Sequence, residues 1–179
     1  MVTTRLLTAE DLYALGPDAP YELIEGELVA VNPPGGVHGA VLTELTLQIG
    51  SFVKKNHLGR VFVGDTGFVL QQDPDTVLGP DLAFVRQDRL AKSPRAYVHV
   101  APDLAVEVVS PSNTKSAVAR KIDIYLLAGV EQAWVVDPFR QELFVHQADE
   151  PVSVFGYDDI VTGRGVLPGF ELRVGDLFE

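Results

Sequence analysis

Residues 103–125 read DLAVEVVSPSNTKSAVARKIDIY, a stretch that predicts a buried strand followed by a helix. The segment from Leu104 to Val109 is apolar and mostly β-branched apart from Glu107, a composition typical of a core strand. A carboxylate in such a strand costs free energy unless a partner compensates for its burial. The first candidate for a partner of Glu107 is Lys121, which lies in the following helix.

Helical spacing allows two orientations of Lys121. The apolar stripe of the helix consists of Val118, Ile122, Tyr125 and Leu126. Lys121 lies at the edge of this stripe, from which its ammonium group reaches either towards the sheet or into solvent. Lys115, near the helix start, and Arg120, on the polar side, are expected to face solvent. The spacing thus favours Lys121 as the cation near the sheet, with an ordinary surface lysine as the alternative.

The rest of the chain predicts a mixed α/β fold, in which a central mixed sheet is flanked by helices and extended by an N-terminal helix and β-hairpin. Thr8 is predicted to cap the first helix, and Glu25-Gly26 to form the turn of the hairpin. The run from Leu104 to Asp137 fits a strand–helix–strand crossover. Two further helices are predicted, one over 37–55 and one capped by Ser112 or Asn113. Strands are predicted in PDLAFV, EQAWVVDP and QELFVHQ, and a last strand in GVLPGFELRVGDLF. RVFVGDTGFVLQ is predicted to form one bent strand or a strand pair, and DPDTVLG a turn. No linker divides the chain, so we expect one domain over residues 1–179.

The composition excludes several kinds of site. The chain has 179 residues and no cysteine, so it has neither disulfides nor thiolate metal ligands. Its four histidines lack the spacing of zinc ligands. No apolar run is long enough to cross a membrane, and the first residues do not resemble a signal peptide. We therefore expect a cytoplasmic protein with no membrane partner.

Charge is distributed unevenly along the chain. The net charge of −11 argues against a general affinity for nucleic acid. Between Ser51 and Lys121, however, ten basic residues outnumber seven acidic ones. This segment is either an anion-facing region on an acidic protein or ordinary scatter on a solvated surface.

Two carboxylates stand on apolar strands and form a candidate metal site. Asp81 begins the strand in GPDLAFV, and Glu107 lies within LAVEVVS. Carboxylates held together without a cation repel each other, and hard oxygen ligands suit Mg²⁺ or Mn²⁺. The alternatives are that Asp81 is a turn residue after a proline and that Glu107 is paired with backbone groups or an arginine.

Several segments, in order, resemble the Uma-type "putative endonuclease" family of bacterial proteins, within the PD-(D/E)XK nuclease superfamily. They are YELIEGEL, PPGGVH, GPDLAFV, PDLAVEVVSPSN, RKIDIYLLAGV, QAWVVDP and LPGFEL. The most specific part is VEVVSPS followed by K-x₃-Y-x₃-GV. The resemblance implies a restriction-endonuclease-like fold over most of the chain.

The resemblance also implies roles for individual residues. Asp81 and Glu107 match the acids of the superfamily motif and would bind the metal, with the backbone carbonyl of Val108 as a third ligand. Val109 stands where the superfamily has its lysine, and Lys121 would supply that lysine from the following helix. Glu22 and His38 fall in matching segments and are second-tier candidates, with an exposed hairpin residue and a helix-start residue as their alternatives.

The resemblance implies a Mg²⁺- or Mn²⁺-dependent endonuclease that hydrolyses phosphodiester bonds of DNA and acts as a homodimer. Basic residues between Lys54 and Arg95 would contact backbone phosphates. The alternative is a catalytically silent nuclease fold that binds nucleic acid or protein, which the net charge of −11 favours. An unrelated serine hydrolase ranks last, because the serines in VSPS lack the G-x-S-x-G turn.

Overall fold

A computed structural model of the protein describes residues 5–16, 19–90, 92–111 and 114–179. The helices are α1 (Ala9–Ala14), α2 (Gly36–Lys55), α3 (Lys115–Leu127) and a 3₁₀ helix (Val174–Leu177). The strands of the first half are β1 (Tyr21–Ile24), β2 (Glu27–Ala30), β3 (Gly59–Val63), β4 (Phe68–Gln71), β5 (Thr76–Leu78) and β6 (Leu82–Arg86). Those of the second half are β7 (Leu104–Val108), β8 (Gln132–Asp137), β9 (Glu142–His146), β10 (Ser153–Phe155), β11 (Ile160–Thr162) and β12 (Glu171–Arg173).

The central sheet has six strands in the order β10-β9-β8-β7-β6-β3. β7 and β8 run parallel and are joined by α3, so the predicted strand–helix–strand crossover is confirmed. The other pairs are antiparallel, which makes the sheet mixed. α2 packs its buried stripe on one face, and α3 packs Ile122 and Tyr125 on the other. The predicted arrangement of a mixed sheet flanked by helices is therefore confirmed.

A second sheet of four strands, in the order β2-β1-β5-β4, lies under α1. It corrects two predictions. RVFVGDTGFVLQ is neither a strand pair nor one bent strand, because β3 joins the central sheet and β4 joins the second sheet. DPDTVLG, predicted as a turn, contains β5, which is fully buried between β1 and β4. A strand of three residues is too short to show periodicity, and its pairing with the adjacent β4 and the distant β1 establishes it.

The ends of the helices largely follow local sequence. Thr8 and Asp11 form a reciprocal capping box at the start of α1, as predicted for Thr8. Thr114 caps α3 by accepting a hydrogen bond from the backbone of Ala117. The caps expected from sequence, Ser112 and Asn113, lie outside the described residues. The predicted last strand is β12, which pairs with β11, a strand that the sequence did not indicate. No helix in the described ranges has the length and apolarity needed to cross a membrane.

Candidate active site

The pairing of β6 with β7 brings Asp81 and Glu107 to the same side of the central sheet. Leu82 lies opposite Val106, so extension of this antiparallel register by one residue places Asp81 opposite Glu107. Residues that face each other in this way project from the same face. The Val108 N–H donates a hydrogen bond of 2.7 Å to Oδ2 of Asp81. Both carboxylates line one cavity of about 1010 Å³.

Lys121 extends from α3 into the same cavity. Its Nζ lies 2.8 Å from Oε1 of Glu22 and 3.4 Å from each carboxylate oxygen of Glu107. Arg120 instead pairs with exposed Glu25 at 3.2 Å, and Lys115 is exposed. These contacts agree with the orientations expected from helical spacing. Burial lowers the pKa of Lys121, but Glu107 and Glu22 outweigh it and raise the pKa above its ordinary value, so Lys121 is a cation.

Glu107 receives a second contact that the sequence did not reveal. The Tyr125 hydroxyl donates a hydrogen bond of 2.6 Å to Oε1 of Glu107, although the tyrosine ring is fully buried in the core. Burial raises the pKa of Glu107 to about 7; Lys121 opposes this rise, and the charges of Asp81 and Glu22 add to it. Sequence patterns assigned Tyr125 to the apolar stripe. Its position four residues after Lys121, on the same side of the helix, is the feature that could have indicated its contact with Glu107.

Asp81 is held by a histidine from the start of α2. Nε2 of His38 lies 3.0 Å from Oδ1 of Asp81, and the His38 side chain is only 6% exposed. The hydrogen bond to Asp81 raises the pKa of His38, against the effect of burial. Nδ1 of His38 is buried and has no hydrogen-bond partner within the described residues. His38 therefore fixes the orientation of the Asp81 carboxylate.

Glu22 and Asp65 complete the acidic lining of the cavity. Glu22 is buried rather than exposed, and its Oε1 accepts a 3.0 Å hydrogen bond from the Gly79 N–H as well as the contact from Lys121. A Cβ on Gly79 would lie 2.7 Å from the backbone oxygen of Asp65, so only glycine fits there. Burial and the nearby Asp81 raise the pKa of Asp65. Sequence patterns did not single out Asp65, which lies in the loop after β3.

The carboxylates offer a donor set for a hard cation. Within the described parts of the chain, no three His, Cys, Asp or Glu side chains are grouped so that they alone would hold a metal ion. Asp81 and Glu107 nevertheless supply oxygen ligands, because both oxygens of Asp81 and Oε2 of Glu107 each have one partner and keep a second lone pair. This set fits Mg²⁺, which proteins bind through one or two carboxylates together with water and substrate phosphates.

Comparison with known proteins places this fold among the restriction-endonuclease-like proteins. A crystal structure described as a putative nuclease belonging to DUF820, from Anabaena variabilis ATCC 29413, is similar with a TM-score of 0.83 and 25% sequence identity. The match covers 96% of this chain and 97% of that one. The predicted fold class is thus confirmed.

The family is shown by the sequence itself. The family model of Uma2, described as "Putative restriction endonuclease", matches residues 8–175, so the chain belongs to this family. This confirms the family suggested by the motifs. No curated protein matches the chain.

Proposed function

We propose that the protein is a metal-dependent endonuclease that hydrolyses phosphodiester bonds of DNA. The observation that carries this proposal is the meeting of Asp81, Glu107 and Lys121 at one cavity, with the lysine ammonium on the Glu107 carboxylate. Membership of the Uma2 family supports nuclease activity. Metal dependence and the DNA substrate rest on the chemistry of the site.

Asp81 and Glu107 would hold Mg²⁺ or Mn²⁺, with the carbonyl of Val108 as the third ligand. The Val109 N–H bonds to Val136 in β8, so the backbone groups of Val108 face the opposite edge, towards Asp81. Extension of the register places Pro80 opposite Val108, and proline has no N–H to occupy that carbonyl. When bound, the ion polarises the phosphate and lowers the pKa of a coordinated water.

Lys121 would stabilise the negative charge that develops on the phosphate, or orient the attacking water. Lys121, on α3, would take the role of the superfamily's strand lysine. Val109 occupies the place of that lysine here and packs against the apolar core. Glu22 supports this role because it holds the Lys121 ammonium at 2.8 Å. His38 would act through Asp81, whose carboxylate it orients at 3.0 Å. Glu22 and His38 are therefore proposed as positioning residues.

A catalytically silent binding module is the second candidate. The net charge of −11 favours it, and so does the use of several basic residues in ion pairs. Arg86 and Arg89 both bind the fully buried Asp103, at 2.6 and 2.8 Å, so neither is available as the predicted phosphate contact. The silent candidate differs from the nuclease in one measurable respect, which is turnover.

The decisive experiment is incubation of supercoiled plasmid with the purified protein over a Mg²⁺ and Mn²⁺ titration. We expect nicking or linearisation that requires the metal, is stopped by EDTA, and is lost in Glu107→Gln. Glu25→Gln is the matched control, because it removes an exposed carboxylate that lies outside the cavity. Protein that is folded but cleaves at no metal concentration supports the silent module instead.

Two copies would be needed to cut both strands of a duplex, because the described residues of each chain form one such site. We therefore also propose that the protein acts as a homodimer in which each copy cuts one strand. Sedimentation of the protein with and without a duplex oligonucleotide checks this, and a monomer in both conditions contradicts it.

A further inference from the structure

The cavity lining includes an aromatic wall beside the acids. Three of the five tyrosines in the chain, Tyr13, Tyr21 and Tyr97, line the same cavity as Asp81 and Glu107. The rings of Tyr13 and Tyr97 meet edge to face, with centroids 5.4 Å apart. Tyr13 is 53% exposed and Tyr21 is 40% exposed, so both keep ring surface open to the cavity. Nothing in the hydrolysis of a phosphodiester requires these rings.

The aromatic wall is held in place by the second sheet. Ala9 and Leu12 of α1 are buried against this sheet, which leaves the neighbouring Tyr13 at the surface. Tyr97 packs over Gly67, where even a Cβ would lie 2.5 Å from a ring carbon. The Val98 N–H bonds to the Gly67 carbonyl at 2.9 Å and fixes the segment that carries Tyr97. The tyrosines thus form a preorganised surface.

The cavity offers few cations for a nucleic-acid backbone. Arg120 and Lys121 are engaged with Glu25 and Glu22, as Arg86 and Arg89 are with Asp103. Five basic residues have no ion pair within the described residues: Lys54, Lys55, Lys92, Arg95 and Lys115. Of these, only Arg95 lines the cavity. A DNA duplex, which carries one charge per roughly 1.7 Å of axis, needs many more cations than this.

We infer that the cavity takes single-stranded DNA, with an unpaired base stacked on the Tyr13 ring, which Tyr97 supports edge to face, while its phosphodiester reaches Asp81 and Glu107. Proteins that bind single strands combine a positively charged groove with aromatic rings on which the bases stack, and each stack is worth about 1–3 kcal/mol. A cavity of about 1010 Å³ is the size of a site that encloses one small-molecule group and is too small for a duplex. This inference rests on the proposed function and narrows its substrate; each copy in a dimer would act on one unpaired strand.

Binding is measured by fluorescence anisotropy in EDTA, so that no strand is cut. The probes are a labelled DNA single strand, the duplex of the same sequence, and a single strand with abasic positions at its centre. We expect the intact single strand to bind more tightly than both other probes. Tyr13→Ala should weaken its binding by roughly 5- to 150-fold, the range found for loss of one base–aromatic stack. Tyr13→Phe keeps the ring and should bind like the wild type.

Phe139→Ala is the matched control, since Phe139 is an aromatic residue exposed to 58% that does not line the cavity. Equal affinity for the abasic and intact strands overturns the inference, and that comparison needs no change to the protein. Tighter binding of the duplex also overturns it. If the single strand binds as expected but no metal supports cleavage, the proposed nuclease function fails while the binding site stands. If plasmid is cleaved but Tyr13→Ala binds like the wild type, the nuclease stands and this inference fails.

Discussion

The Glu107→Gln variant is expected to be more stable than the wild-type protein at about pH 8 when divalent metals are removed. Burial raises the pKa of Glu107 from 4.5 to about 7 in the folded protein. One pKa unit corresponds to about 1.4 kcal/mol, so the ionised carboxylate costs roughly 3 kcal/mol of folding free energy. Glutamine carries no charge to bury and still accepts the hydrogen bond from Tyr125. Lys121 keeps Glu22 as its partner at 2.8 Å.

The sign of the pH dependence follows from the direction of the shift. An acid with a raised folded pKa gives up its proton more easily in the unfolded chain, so wild-type stability falls as pH rises from about 4.5 to about 7. The advantage of Glu107→Gln should therefore be small at about pH 5 and full at about pH 8. His38, whose pKa is raised, stabilises the fold below its unfolded pKa of 6.5 and loses this effect as pH rises through its folded pKa. The His38 contribution therefore also makes the fold less stable as pH rises, but it is present in both the wild type and Glu107→Gln.

Urea denaturation at both pH values, in EDTA, measures the difference. The expected difference of roughly 3 kcal/mol corresponds to about 6–12 °C in Tm for a chain of this length. Glu25→Gln is the control and should change little, because its ion pair with Arg120 is exposed on both sides. A Glu107→Gln protein that is less stable than the wild type at the higher pH would refute the reasoning. The contacts from Lys121 and Tyr125 would then outweigh the cost of burial, and Glu107 would be a structural residue.

Three further perturbations test other contacts. Lys121→Met should abolish metal-dependent cleavage because the phosphate loses its cation, whereas Arg120→Met, on the exposed side of the same helix, should retain it; plasmid assays compare the two. Tyr125→Phe removes the hydrogen bond that orients Glu107, so the Mg²⁺ concentration for half-maximal cleavage should rise several-fold with little change in kcat at saturating metal. Asp103→Asn leaves Arg86 and Arg89 without their buried carboxylate and should lower the free energy of unfolding by roughly 3 kcal/mol in urea, with no change in the metal requirement.

Local sequence determined the elements that carry the proposed chemistry. The apolar, β-branched run around Glu107 predicted β7, and PDLAFV predicted β6, which begins two residues after Pro80. The strand–helix–strand order predicted the parallel pair and the crossover, because a helix between two core strands favours that connection. The position of Lys121 at the edge of the apolar stripe predicted which basic residue of α3 faces the acids. Each of these depends on periodicity within one element, which a sequence displays directly.

The identity of the partners was decided only by the tertiary structure. Glu22 was a second-tier candidate whose alternative was an exposed hairpin residue, and the burial of β5 beside β1 brings it to Gly79 and Lys121. His38 was a second-tier candidate whose alternative was a helix-start residue, and α2 places it against Asp81. Tyr125 was assigned to the core, where its ring does lie. The packing of α3 on the central sheet brings its hydroxyl to Glu107.

Side-chain periodicity indicates which face of a strand or helix is buried, but it does not indicate which distant element covers that face. The four-stranded sheet illustrates this limit. β5 pairs with β4 and also with β1, a strand more than forty residues earlier in the chain. The sequence by itself thus determined two acidic strands and a lysine-bearing helix. The packing of distant segments decided that Glu22, His38 and Tyr125 surround them, because the free energy of burial depends on contacts that no local pattern records.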